Sequence, residues 1–320
     1  MRIFFCGSSG FGLPCLEALR DSRHELVHIA TQPAHKAGRG RKIRKTSVAE
    51  WAEQNSVPLT ETPDINSQQT IRIAESLKPD LFVVIAFGQK VGRGFIEKAR
   101  YEAINVHASL LPKYRGAAPI NWALLNGEKE TGVTIITLAD KMDAGLMLGK
   151  KKTPIYKDDN AKSLHDRLAV LSPELLLETI DKIEDGTASY IPQDETRATL
   201  ARKLKKSDGI IDWHSSAEDI ANKVRAFWPW PEAQSSYLIG ESGKVIKVII
   251  ADAEPVEIAE SPNAEVGSLD SNMNVVCGEG ALAIKMLKPE NSSMMDFKAF
   301  ENGRYSGSGD KFLSNQNKDE

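Results

Sequence analysis

Cysteine is scarce in this sequence of 320 residues, which contains three: Cys6, Cys15 and Cys277. Their odd number and wide separation fit neither a disulfide framework nor the close spacing of a zinc site. We therefore expect reduced thiols, a cytoplasmic protein and no bound metal ion.

Long apolar runs are also missing from the sequence. No stretch approaches the roughly 18 uninterrupted apolar residues of a transmembrane helix. The apolar run within MRIFFCGSSGFGLP is too short for a signal peptide. With 41% hydrophobic and 27% charged residues, the composition is typical of a soluble globular protein. We expect no membrane contact and no obligate protein partner, and we take a monomer as the default.

There is no excess of positive charge, because 41 Lys and Arg residues face 44 Asp and Glu residues for a net charge of -3. Such a protein has no general affinity for polyanions, so any nucleic-acid site must be local. The segment TQPAHKAGRGRKIRK, residues 31–45, lacks acidic residues and carries Lys36, Arg39, Arg41, Lys42, Arg44 and Lys45. A second basic run, ARKLKKSDG, contributes Lys203, Lys205 and Lys206. Dense positive charge suits a phosphate backbone, and a solvated basic surface is the alternative.

The first strand-to-helix turn lacks a dinucleotide fingerprint. FCGSSGFG, residues 5–12, spaces its glycines in the reverse order of that motif, and no acidic residue closes the second strand at IATQP. We therefore expect no nicotinamide cofactor.

The apolar pattern predicts two domains. Up to residue 187, short β-type runs such as DLFVVIAF alternate with helix-period segments, which is typical of an α/β domain with a Rossmann-like, mostly parallel sheet. Its last helix, residues 161–186, contains a proline that breaks its register. Residues 188–206 indicate a linker, and the capped helix and β-type runs of residues 207–320 predict a smaller β-barrel of OB type.

Ligands bind α/β sheets beyond the carboxyl ends of the strands, so we expect the site after AINVHAS and GVTIITLA. A strand's period of two sends Asn105 and His107 to the same side. An amide donor beside an imidazole resembles an oxyanion holder beside a general acid or base. A structural hydrogen-bonded pair is the alternative.

Two acidic residues, Asp140 and Asp143, follow the second of these runs in GVTIITLADKMDAG. If the two strands are neighbours, a carboxylate can reach and orient the imidazole of His107. An Asx turn is the alternative explanation of DAG. An amide, an imidazole and a carboxylate without a nucleophilic Ser or Cys suit direct acyl transfer to an amine.

The stretch NVHASLLPKYRGAAPINWALLNGEKETGVTIITLADKMDAG resembles the signature of the 10-formyltetrahydrofolate-dependent formyltransferases. The resemblance implies that Asn105, His107 and Asp143 are catalytic and that 10-formyltetrahydrofolate is the co-substrate. It also implies a folate pocket lined by Ser109, Leu110, Leu111 and Pro112, with Phe87, Gly88 and Asp140. Ala108 stands where some relatives have glycine.

Other segments resemble the members of this family that act on transfer RNA. AGRG matches the insertion loop that engages the acceptor stem and singles out Arg39, although RKIRKTS departs from the usual continuation. PQDET, IDWHSSAEDIANKVRAFWPWP and NGRYSGSGDKF resemble the linker and C-terminal domain of those members. The resemblance therefore implies formyl transfer to the α-amino group of methionine on initiator transfer RNA.

Two alternatives share parts of this pattern. A formyltransferase for a small amine, such as a sugar nucleotide or a purine precursor, needs the same three residues but no basic segment. A catalytically silent RNA-binding protein needs the basic segment but not Asn105, His107 and Asp143 together.

Overall fold

The computed structural model describes residues 1–37, 42–240, 242–259, 265–303 and 310–314. The chain forms two compact units. The first comprises Met1–Gly116, Glu130–Pro154 and His165–Ala201, and the second Ala117–Lys129, Ile155–Leu164 and Arg202–Glu320. Each unit consists of three separate stretches of the chain. The division into residues 1–187, a linker of residues 188–206 and residues 207–320 therefore stays a prediction.

Helices and strands alternate along the described chain. The helices are α1 (Leu13–Arg20), α2 (Ser47–Gln54), α3 (Gln68–Leu77), α4 (Arg93–Ile96), α5 (Pro119–Leu125), α6 (Ala161–Glu184), α7 (Ala217–Phe227) and α8 (Phe297–Asn302). The strands are β1 (Arg2–Gly7), β2 (Glu25–Thr31), β3 (His35–Ala37), β4 (Lys42–Arg44), β5 (Leu59–Glu61), β6 (Leu81–Ile85), β7 (Ala103–His107), β8 (Arg115–Gly116), β9 (Glu130–Thr137), β10 (Met147–Pro154), β11 (Leu200–Ala201), β12 (Ala233–Ile239), β13 (Lys244–Val256), β14 (Val275–Val276), β15 (Ala281–Pro289), β16 (Met295–Asp296) and β17 (Lys311–Leu313). Within the described ranges, the helices lack the combination of length and apolar character that crossing a membrane requires.

The first unit is built on a seven-stranded sheet in the order β10-β9-β7-β6-β1-β2-β5. The five strands from β7 to β5 are parallel, whereas β9 and β10 are antiparallel to their neighbours. The all-apolar sequence of β6 is buried along its whole length, as expected for a central parallel strand. The expected Rossmann-like, mostly parallel sheet is confirmed.

Aromatic packing fixes the core on one face of this sheet. The ring of Phe82 lies 4.5 Å from that of Phe95 and 5.3 Å from that of Phe4, measured between centroids. Pairs at such distances add about 0.5–1.5 kcal/mol each beyond the area that they bury.

Helix α6 continues through Pro173 instead of breaking there. Proline in a helix interior costs about 3 kcal/mol because it removes one backbone hydrogen bond. Leu168 and Leu176, on either side of the proline, are fully buried, and the Ser172 hydroxyl donates to the Leu168 carbonyl at 2.7 Å. Tertiary packing therefore outweighs the local preference of proline.

The second unit contains an antiparallel sheet in the order β14-β15-β13-β12-β17, with β16 added to β15. Ser268 bridges to Lys311 and Leu269 to Val275, so this short segment joins the two edge strands and nearly closes the sheet. The expected barrel-like second domain is confirmed. The helix α7 begins at the expected cap, where Ser216 accepts from the Asp219 N–H at 3.1 Å.

The segment after β8 also belongs to the second unit. Asn121 of α5 donates from Nδ2 to the Ala226 carbonyl of α7 at 2.7 Å. The chain therefore leaves the first unit after Gly116 and returns to it at Glu130.

Candidate active site

The strands β7 and β9 are neighbours, which is the condition for a contact between Asp143 and His107, but they run in opposite directions. Asn105 pairs with Ile136 in the antiparallel register. The loop after β9 therefore starts beside the beginning of β7, where the Leu138 N–H lies 3.4 Å from the Ala103 carbonyl. The two strands therefore end at opposite ends of the sheet, and the loop after β9 reaches Asn105 and His107 by folding back along β7.

The loop brings Asp143 to Asn105 and His107. Asp143 Oδ1 lies 3.5 Å from Asn105 Nδ2, and Asp143 Oδ2 lies 3.6 Å from His107 Nδ1. The His107 side chain is 6% exposed and that of Asp143 16% exposed. The three side chains predicted from the sequence thus lie together, with the Asp143 carboxylate beside both of the others.

The protonation of the His107 ring follows from its second contact. Nε2 lies 2.8 Å from the Tyr114 carbonyl oxygen, which can only accept a hydrogen bond. Nε2 therefore carries a proton, and in the neutral ring Nδ1 has the lone pair. The 3.6 Å from Nδ1 to Asp143 exceeds a hydrogen bond, so Nδ1 is the ring atom that can exchange a proton with a bound substrate.

Asp143 has a left-handed backbone, with φ of 51°. Asp and Asn adopt this conformation more readily than most residues with a side chain. Its carboxylate is fixed by the Gly116 N–H, which donates to Oδ2 at 2.8 Å.

Three polar residues near Asp143, namely Arg115, Gln193 and Glu195, were not predicted as site residues from the sequence. The Arg115 side chain is 1% exposed and donates to Gln193 and Glu195, with its shortest bond, 2.6 Å, from Nη2 to Glu195 Oε1. The hydrogen bond from Arg115, and then that from Lys141, lowers the pKa of Glu195 to about 2. Arg115 lies in the quoted stretch that begins NVHAS, and Gln193 and Glu195 lie in PQDET. The sequence did not reveal the contact between these two stretches.

The predicted folate contacts differ in burial. Phe87, Ser109, Leu111 and Pro112 are buried, Leu110 is half-buried, and Gly88 and Asp140 are exposed. The Ser109 hydroxyl donates to the Lys113 carbonyl at 2.7 Å, and its carbonyl accepts from Thr134 Oγ1 at 2.7 Å. The polar groups of Ser109 therefore shape the loop from within.

Buried apolar side chains lie beside Asn105 on the sheet. Asn105, Ile136 and Met147 are register partners on three adjacent strands, so their side chains lie on the same face. Leu111 joins Ile136 and Met147 in a buried cluster. The polar residues therefore lie next to a buried apolar cluster.

The predicted RNA contacts belong to both compact units. Arg44 and Lys45 are exposed in the first unit, and Lys45 pairs with Glu53. Lys36 and Lys42 lie on the paired strands β3 and β4, and Arg39 and Arg41 lie outside the described residues. Lys203, Lys205 and Lys206 are exposed in the second unit.

Among the described residues, His24, Asp181 and Glu184 have ligand atoms close enough to share a metal ion. Arg23 Nη2 already lies 2.7 Å from Asp181 and 2.8 Å from Glu184, and the Met1 ammonium lies 3.0 Å from Glu184. Because cationic groups of the protein neutralise both carboxylates, we interpret this cluster as an ion-pair network.

Comparison with protein families gives two matches along the chain. The model described as "Formyl transferase" matches residues 1–180, and "Formyl transferase, C-terminal domain" matches residues 203–305. The methionyl-tRNA formyltransferase of Trichlorobacter lovleyi is 39% identical over 299 residues, which cover 93% of each chain. That of Acetivibrio thermocellus is 39% identical over 310 residues, which cover 97% of this chain and 99% of the relative.

Solved structures with low sequence identity share the fold. An N-formyltransferase from Helicobacter canadensis, in complex with folinic acid and dTDP-3-aminofucose, aligns with a TM-score of 0.64 at 20% identity, covering 89% of this chain and 99% of the other. HypX from Aquifex aeolicus, in complex with tetrahydrofolic acid, aligns with a TM-score of 0.62 at 21% identity, covering 96% of this chain and 48% of the other.

Proposed function

Because the chain belongs to the formyl transferase family, we propose that it transfers a formyl group from 10-formyltetrahydrofolate to the α-amino group of methionine esterified to initiator transfer RNA. The relatives named methionyl-tRNA formyltransferase, which align over nearly the whole chain, support this acceptor. The observation that carries the proposal is the convergence of Asn105 and His107 on the carboxylate of Asp143.

In the proposed reaction, the neutral amine attacks the formyl carbon directly. An α-amino group has a reference pKa of about 8, so part of it is neutral near physiological pH without a metal ion. The amide of Asn105 donates to the oxygen that becomes negative as the new C–N bond forms. The bond from the formyl carbon to N10 of the folate then breaks.

The same reaction must move one proton from the attacking amine to N10 of the departing folate. Nδ1 of His107 can pass this proton, because Nε2 remains bonded to the Tyr114 carbonyl. Asp143, 3.6 Å from Nδ1, stabilises the ring when both nitrogens are protonated. The chemistry therefore needs no covalent intermediate on the protein.

For the folate co-substrate, we propose that Phe87, Gly88, Leu110 and Asp140 line the pocket. An aromatic pteridine needs apolar walls and polar groups at its edges. The apolar cluster of Leu111, Ile136 and Met147 beside the polar trio supports such a fit. Ser109, Leu111 and Pro112 then shape the pocket without needing exposed polar atoms.

For the transfer RNA, we propose contacts from both basic segments. They would come from Lys36, Arg39, Arg41, Lys42, Arg44 and Lys45 and from Lys203, Lys205 and Lys206. In this proposal residues 1–187 form the catalytic domain, residues 188–206 connect the two domains, and residues 207–320 add RNA contacts. We further propose that the enzyme is monomeric and cytoplasmic.

The experiment compares acceptors at several salt concentrations. The protein is expected to formylate charged initiator transfer RNA in the presence of 10-formyltetrahydrofolate and to leave an amino-sugar nucleotide unmodified. Replacing the exposed Arg44 by Gln should raise the KM for transfer RNA. It should also reduce the slope of log KM against log salt concentration by about the amount that one phosphate contact contributes. The KM for folate should stay unchanged.

Arg72→Gln is the matched control, since Arg72 is an exposed arginine on α3 outside the basic segment. It should leave both KM values unchanged. Transfer to the amino sugar without transfer to the RNA would contradict the proposed acceptor.

A further inference from the structure

We propose that Gln193 is a positioning residue, which holds the loop of Asp143 in the geometry that formyl transfer requires. This inference rests on the proposed function. Gln193 lies in the segment after α6, 50 residues from Asp143 in the chain, and it contacts the backbone of the loop rather than the space between the three catalytic side chains.

The amide of Gln193 bridges the loop to Arg115. Its Nε2 donates to the carbonyls of Asp143 at 2.7 Å and Gly145 at 2.8 Å. Its Oε1 accepts from Arg115 Nε at 3.0 Å and Nη2 at 2.8 Å. Both amide hydrogens and both lone pairs are therefore used, which fixes the side chain in one orientation.

These bonds form a closed ring through Asp143. The Gly116 N–H holds the Asp143 carboxylate at 2.8 Å, and Gln193 holds the Asp143 carbonyl. Gly116 is the next residue after Arg115, the same arginine that orients Gln193. The Asp143 carboxylate is thus held directly by Gly116 and its carbonyl indirectly, through Gln193 and Arg115, which limits rotation of the carboxylate relative to His107.

The backbone of the loop adds to the need for these bonds. Asp143 has a φ of 51°, in the left-handed region, which aspartate adopts more readily than most residues with a side chain but still at some cost relative to a helical or extended backbone. The neighbouring Lys141 and Met142 are exposed and add little packing. Backbone bonds from Gln193 offset this cost at the residue whose position matters for catalysis.

The segment of Gln193 is itself anchored to the first unit. Ile191 and Met147 exchange two backbone hydrogen bonds, of 2.8 and 2.9 Å. Further along, β11 pairs with β8, which contains Arg115. The residues that the sequence analysis assigned to a linker therefore supply structural support for the site.

The distinguishing variant is Gln193→Glu, which has nearly the same shape. A carboxylate can still accept from Arg115, but it cannot donate to the two loop carbonyls. We expect kcat for formylation to fall about 10–100-fold, the range typical of residues that orient a catalytic group. The KM values for folate and transfer RNA should change less than about two-fold, because Gln193 contacts the loop backbone and neither proposed substrate site.

A double-mutant cycle separates positioning from a general structural role. If Gln193 acts through the carboxylate of Asp143, then Gln193→Glu should change kcat less than about three-fold in an Asp143→Asn background. An equal fall of kcat in both backgrounds would overturn the proposal. A kcat for Gln193→Glu alone within about three-fold of that of the unmodified protein would overturn it too.

Two further variants complete the test. Gln193→Ser removes the bonds to the two loop carbonyls without adding a charge, together with the acceptor for Arg115, which stays paired with Glu195. It should lower kcat similarly, so the outcome does not depend on folding of the Glu variant. Gln69→Glu adds a charge at an exposed position of α3 and should leave kcat unchanged. If the unmodified protein transfers no formyl group, the proposed function fails; if it does and both Gln193 variants match it, this inference alone fails.

Discussion

Replacement of Asp143 by Asn removes the negative charge of the site with little change of shape. Asparagine tolerates the left-handed φ of 51° as well as aspartate does, so the backbone needs no adjustment. The amide oxygen can still accept from the Gly116 N–H, which now lies 2.8 Å from Oδ2. We therefore expect the folded structure to persist and the chemistry to change.

The size of the effect follows from the distance to His107. At 3.6 Å, two unit charges in surroundings with an effective dielectric constant of about 20 attract each other by about 4.6 kcal/mol. Only the part of this attraction that is gained between the bound substrate and the transition state affects kcat. Half of this energy corresponds to about 50-fold in rate and all of it to about 2000-fold.

The assay measures kcat with saturating 10-formyltetrahydrofolate and charged initiator transfer RNA. Asp143→Asn should reduce kcat by about 50- to 2000-fold, while its urea unfolding midpoint stays close to that of the unmodified protein. A kcat within about ten-fold of the unmodified value, in a folded variant, would refute the role of the Asp143 charge.

Two predictions concern stability. Because Arg115, and then Lys141, lower the pKa of Glu195 to about 2 in the folded state, this carboxylate stabilises the fold above its unfolded pKa, and the contribution is lost as the pH falls toward 2. Glu195→Gln should therefore lower the urea midpoint at pH 7 and less so at pH 3; a pH-independent difference would contradict this cause. Trp213 is fully buried and donates from Nε1 to Ser235 Oγ at 3.0 Å. Trp213→Phe loses this hydrogen bond and some packing, so it should reduce the free energy of unfolding by about 1–3 kcal/mol. An unchanged urea unfolding curve would contradict this prediction.

Local periodicity was enough to predict part of the site. The alternation of side chains along β7 put Asn105 and His107 on one side, and the apolar run of β6 indicated a buried central strand. These predictions depend on residues close in sequence, whose relative directions the backbone geometry fixes.

The features that the sequence did not reveal depend on contacts between distant residues. The direction of β9 relative to β7 leaves no mark in the apolar pattern, because a buried strand looks the same in either direction. The bonds that join Gln193 to Arg115 link residues 78 positions apart. Such contacts depend on tertiary packing, which a single sequence does not specify residue by residue.

The central claim is that Asn105, together with His107 and Asp143, stabilises formyl transfer to an amine. Its most direct test is the single-turnover rate of formylation of methionyl initiator transfer RNA by the unmodified protein and by Asn105→Ala. The unmodified protein should transfer the formyl group, and the variant should do so about 100- to 1000-fold more slowly, as expected for loss of one oxyanion donor. No transfer by the unmodified protein, or equal rates for the two proteins, would contradict the account.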